Sequence, residues 1–93
     1  MKFDIFKELE DTKWVYDGAW KFENVPWQCY RRTNIKGNYF LLLFRDQEER
    51  AVVLHYRDQE ANLLAKGEVK DTKTLDAFLK QADECISDAS SRV

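Results

Sequence analysis

Two thiols and one imidazole are the side chains best suited to chemistry in this 93-residue chain: Cys29, Cys85 and His55. A cysteine beside a histidine makes a nucleophile, because the imidazole draws off the thiol proton and leaves a thiolate. Nothing local prepares such a pair here. Cys29 lies in the run "WQCYRRT", which reads as a strand, and not at a helix N-terminus, where its pKa would fall. His55 lies inside the apolar run "AVVLHYR", where a histidine is ordinarily packed. The three residues match no zinc spacing, and Cys85 falls on the apolar stripe of a helix, the place of a small hydrophobe. No catalytic residue, metal or cofactor is expected, and the chain reads as a non-enzyme.

Carboxylate pairs are plentiful, at Glu10-Asp11, Glu48-Glu49 and Asp83-Glu84. A general acid needs a carboxyl whose pKa is raised by burial. These pairs sit in expected turns and on the outer side of a helix, so they read as solvated charge. The three glycines are scattered, and no phosphate-cradling loop exists. Arg45-Asp46-Gln47-Glu48 recurs as Arg57-Asp58-Gln59-Glu60, twelve positions on. One strand plus one turn has that period. The two arginines then fall at opposite edges of a sheet, roughly 20 Å apart at about 3.4 Å per residue, too far for one clamp. The repeat reads as turn punctuation.

The segment from Trp14 to Lys36 is chemically the most suggestive. Trp14, Tyr16, Trp20, Phe22, Trp27 and Tyr30 alternate with Lys21, Arg31, Arg32 and Lys36. Aromatic faces beside cations suit single-stranded nucleic acid, where bases stack and phosphates pair. The same residues suit a protein hot spot, in which Trp, Tyr and Arg are enriched. They also suit the core of a small domain. Lys21 to Lys36 carries four cations against Glu23, a local charge of +3; Glu68 to Asp88 carries three lysines against six acids, a local charge of −3. This dipolar layout suits self-pairing.

The elements that must position these residues follow from periodicity. Phe3, Phe6 and Leu9, with Ile5, predict a short N-terminal helix ending by Thr12. Asp17-Gly18, inside an alternating aromatic run, predicts a hairpin turn, because Gly supplies the positive φ of a primed turn. Pro26 belongs to a loop or a strand's first residue. Strands are expected at 27–33, about 39–45 and about 51–57, with "NIKGN" as a turn, and "ANLLAKGEV" as a further strand weakened by Gly67. Leu75, Phe78, Leu79, Ala82, Cys85, Ile86 and Ala89 form the stripe of a C-terminal amphipathic helix, with Asp71, Thr72 and Thr74 as candidate caps.

The register of the central hairpin decides which side chains meet. A five-residue loop, Asp46 to Arg50, gathers Phe40, Leu42, Phe44, Val52, Leu54 and Tyr56 on one face and Tyr39, Leu41, Leu43, Ala51, Val53 and His55 on the other. A four-residue loop exchanges the partners between the faces. In both registers the two strands are apolar on both faces, and one helix covers only one. Two covers are open to the second face: the N-terminal helix with the Trp-rich hairpin, or a second chain.

Composition bounds the rest. Apolar residues make up 44%, aromatic 14% and charged 34%, with a net charge of −2. That makes disorder a poor reading and gives no strong global field either to attract nucleic acid or to mimic it. No run of 18 apolar residues suggests a membrane span, the acidic first turns do not read as a signal peptide, and two distant cysteines do not read as a disulfide scaffold. A cytoplasmic location is expected.

The fold class is therefore α+β: a single small domain over 1–93, with a four- or five-stranded antiparallel meander, a short N-terminal helix and a C-terminal amphipathic helix packed on one face. The leading expectation is a non-enzymatic protein-interaction module, of the small accessory, inhibitor or immunity type, self-associating as a homodimer. Its expected binding residues are Trp14, Trp20, Trp27, Tyr30, Arg31, Tyr39, Leu41, Leu43, Val53 and His55. The alternatives are a single-stranded nucleic-acid binder using Trp14 to Lys36, and a small-ligand-binding domain with a pocket between sheet and helix.

Overall fold

The computed structural model describes residues 4–22, 24–33, 39–57 and 60–91. Its order is α1 (Ile5–Glu8), β1 (Val15–Phe22), β2 (Val25–Thr33), β3 (Tyr39–Arg45), a 3-10 turn (Asp46–Glu48), β4 (Arg50–Arg57), β5 (Glu60–Glu68) and α2 (Thr72–Ser91). The five strands form one antiparallel meander in the order β1-β2-β3-β4-β5. This is the expected α+β architecture. The "NIKGN" turn with Gly37, and Phe3, lie outside the described residues.

Arg45 pairs with Arg50, so four residues, not five, join β3 to β4. Glu49 closes this connection at φ 52, and its carbonyl accepts the Val69 N–H at 2.7 Å. The shorter loop is thus pinned to the junction of β5 and α2. It sets Phe40, Leu42 and Phe44 beside His55, Val53 and Ala51, and Leu41 and Leu43 beside Leu54 and Val52. The two ring pairs carry the same register: Phe40 stacks on His55 at 4.8 Å, and Tyr39 on Tyr56 at 4.9 Å.

Asp17-Gly18 is not a hairpin turn. It lies inside β1, where the register with β2 shifts between Tyr16 and Ala19 and Gly18 takes φ 92. A positive φ serves a bulge as well as a primed turn, so the dipeptide alone does not distinguish them. The chain reverses later: Phe22 faces Val25, and Asn24 sits at φ 64. Pro26 is the second residue of β2 and pairs only with Lys21 on β1, because pairing to β3 begins at Gln28. Its missing N–H therefore removes no bond from the sheet interior.

α2 packs as its stripe predicts. Leu75, Phe78, Ala82 and Ile86 are buried, and Leu79 and Ala89 pack beside them on Phe40, Leu42, Phe44, Val53 and Ala65. Burying each large apolar side chain there contributes roughly 1.5–3 kcal/mol. Asp71 caps the helix: its Oδ1 accepts the Thr74 N–H at 2.8 Å, while the Thr74 Oγ1 accepts the Asp71 N–H at 3.1 Å. α1 is a single turn, shorter than its periodicity suggests. Thr12 turns the chain back by donating to the Leu9 carbonyl at 2.7 Å. Ile5, Leu9 and Trp14 join the same core as α2, and the Thr72 hydroxyl donates to Glu8 at 2.8 Å. The N-terminal segment thus covers the helix side of the sheet and not the second face, because its apolar side chains find α2 there.

Candidate functional site

The second face of the sheet carries no helix among the described residues; its core consists of strand side chains only. Rows run across it. Val15, Arg31, Leu41, Leu54 and Leu63 form one row, and Cys29, Leu43, Val52 and Lys66 the next. Trp20 and Trp27 pair across β1 and β2 beyond them. The Trp-bearing hairpin closes half of this face. Trp27 packs with Cys29, Leu41, Leu43 and Leu54, and Trp20, Val25, Tyr39 and Val52 pack at the margin. Leu41 and Leu43 are each only 1% exposed.

The other half stays open. A trough of about 720 Å³ runs between Trp27 and β5, with Val52 and Leu54 among its lining residues. Leu63 lines it and is 55% exposed. A bulge shapes this wall: the register between β4 and β5 shifts after Val53, so Leu63 faces Leu54 while Leu64 packs toward the helix-side core. The trough's polar margin holds Arg50, Lys66, Glu48 and Glu68. Arg45 and Arg50 are direct cross-strand partners, a like-charge opposition that a sheet does not favour. Arg45 is held by Glu48 at 3.0 Å, and Glu68 is held by Lys70 at 3.4 Å. Arg50 and Lys66 are exposed and form no ion pair among the described residues.

The expected binding residues divide between the two faces. Trp14, Tyr30, Val53 and His55 lie on the helix side, whereas Trp20, Trp27, Arg31, Tyr39, Leu41 and Leu43 share the second face. Tyr30 is buried beside Phe6 and Tyr16, and burial, with Tyr16 and Asp4 nearby, pushes its phenol up to about 12. Arg31 pairs with Asp17 at 2.9 Å and lies over the Tyr39 ring at 5.3 Å. Arg32 bonds Asp83 of α2 at 2.6 Å and lies over Trp14. The basic segment and the acidic helix therefore meet within the chain, and the aromatic-basic segment does not form one continuous surface. The bulge at Asp17-Gly18 causes this split, because it sends Tyr16 and Trp20 to opposite faces.

The trough residues Arg50, Val52, Leu54, Ala61, Leu63 and Lys66 were not among the expected binding residues. No pattern in the sequence marked them: Leu63 and Leu64 alternate between faces as in any regular strand, and the bulge that puts Leu64 and Ala65 on one face leaves the hydrophobic content of β5 unchanged.

Cys29 and His55 occupy opposite faces, so they form no dyad. Cys29 is 0% exposed, and burial, together with the charge of Asp17, pushes its thiol up to about 12 despite Arg31. Such a thiol is inert at neutral pH. Among the described residues no three His, Cys, Asp or Glu side chains gather as a metal site. None of the described helices is long and apolar enough to cross a membrane. Arg45 and Arg57 end different strands at opposite ends of the β3-β4 hairpin. No family model, curated protein or solved structure matches the chain.

Proposed function

We propose that this protein is a non-enzymatic interaction module that docks another protein chain on the helix-free face of its sheet. One observation carries the reading: Leu63 stands 55% exposed beside an apolar trough on the face that carries no helix among the described residues, while α1 and α2 pack on the opposite face. An exposed apolar surface with a polar margin is the usual mark of an interaction site. Trp27 supplies a rigid aromatic wall of the kind that dominates binding energy at interfaces. A cytoplasmic role accords with the two free cysteines.

The size of the trough also suits a small apolar ligand, since such sites span roughly 300–1,000 Å³. That reading moves the pocket expected between sheet and helix to the other face.

Native mass spectrometry of gently purified protein tests the docking reading. A bound chain should add mass beyond 11.1 kDa. Leu63→Asp should abolish that addition, and Asp76→Lys, on the exposed side of α2, should leave it intact. Extra mass that persists in Leu63→Asp, or an unaccompanied monomer, contradicts the proposal.

A further inference from the structure

The margin of the trough carries information about what it receives. Arg45 and Arg50 stand directly opposite one another across β3 and β4, and Lys66 pairs with Val52, one row along on the same face. Two cations, Arg50 and Lys66, thus line one end of an apolar trough together with Glu48 and Glu68, and Arg45 stands just outside it. Like charges placed opposite each other destabilise a sheet, so the arrangement adds nothing to the fold. Arg45 is partly neutralised by Glu48. Among the described residues Arg50 and Lys66 form no ion pair, and Glu68, which faces Arg50 in the row, turns to Lys70 at 3.4 Å.

The geometry points to a partner of definite chemistry: an acidic segment of another protein, anchored by a large apolar side chain. The anchor lies between Trp27 and Leu63 on Val52 and Leu54. Carboxylates of the segment meet Arg50 and Lys66 at the margin. This rests on the docking reading above and adds the partner's character to it. The Arg50 guanidinium is suited to the task, because its planar fork can hold one carboxylate with two parallel hydrogen bonds. A basic or uncharged segment would leave both cations uncompensated beside a desolvated surface, which disfavours it.

Selection from a random dodecapeptide library against the full-length protein tests this without a known ligand. Enriched peptides should carry Asp or Glu flanking a Leu, Phe or Trp. Their affinity should fall at least tenfold in Arg50→Glu and in Lys66→Glu, and should weaken as salt rises. Both substitutions are at exposed positions, and circular dichroism verifies the fold. Neutral or basic consensus peptides, or acidic ones that bind Lys66→Glu equally well, overturn the inference. So does a concentration-dependent dimer that Leu63→Asp dissolves and that excludes the peptides; there a second copy fills the trough, and the docking reading survives. If no peptide is enriched, decanoate and the dye anilinonaphthalene sulfonate separate the remaining cases. Decanoate binding that depends on Lys66 overturns the inference in favour of a small amphiphile. Absence of any dye binding that Leu63→Asp abolishes overturns both the inference and the docking reading.

Discussion

At the scale of single residues, the chain's chemically promising side chains are placed where they cannot act together. Cys29 is sealed beneath Trp27, and its thiol is held near 12 by burial first and by Asp17 second. Cys85 is only partly buried on α2. Iodoacetamide at pH 8 should therefore modify Cys85 in the native protein and leave Cys29 untouched, with both reacting in urea. Peptide mass mapping checks this, and equal native labelling would contradict the packing of the second face. The same displacement has a pH consequence. A group whose folded pKa is raised contributes its stability below the unfolded value, here 9.0, and loses it as pH rises toward the folded one. Urea midpoints should fall between pH 9 and 12, and less steeply in Cys29→Ala once its own lower starting stability is subtracted.

At the scale of elements, two local devices fix how α2 meets the sheet. The first is the Asp71 cap, whose carboxyl is held below its ordinary value of 3.8 by the Thr74 N–H and then by the Thr74 hydroxyl. A depressed carboxyl contributes stability above its unfolded pKa and loses it as pH falls through the folded pKa. Asp71→Ala should lower the melting temperature by roughly 4–8 °C at pH 7, the shift typical of a lost cap in a small domain. The gap should close under acid conditions, as thermal scans across pH will show. The second device is Gly67 on β5. A Cβ there would stand 3.1 Å from the Phe78 ring, itself only 3% exposed. Crowding in a packed core outweighs the gain of replacing a strand glycine, so Gly67→Ala should cost about 1 kcal/mol. Phe78→Leu in the same chain should relieve the crowding, measured by urea denaturation as a less-than-additive double substitution.

These elements also show what was legible in the linear chain. The α2 stripe and the central strands follow directly from period, because each buries a face that only one spacing produces. The faces of the central hairpin did not follow, because they depend on a single residue of loop length, which Glu49 settles by adopting a left-handed backbone. The Asp17-Gly18 bulge and the bulge at Leu64 were illegible for the same reason. Each inserts one residue without altering the hydrophobic content of its strand, yet reverses every side chain beyond it. The division of the Trp14 to Lys36 aromatics between the two faces depends on the first reversal, which the sequence pattern does not display. The trough was missed because it lies downstream of the second bulge.

At the scale of the whole molecule, the structure is lopsided. Both helices serve one face of the sheet, and two tryptophans cover half of the other. On the docking proposed above, an acidic segment of a partner chain completes the uncovered half, with contact expected at Leu63 and not on the outer side of α2. The edge position of β5 makes that contact accessible from outside the sheet. The most direct measurement is site-specific photo-crosslinking in the cells that make the protein, with a benzophenone side chain at position 63 and, in a separate variant, at position 76. Docking on the helix-free face predicts a discrete crosslinked chain from position 63 and none from position 76. Crosslinking from position 76 with none from position 63 would contradict it.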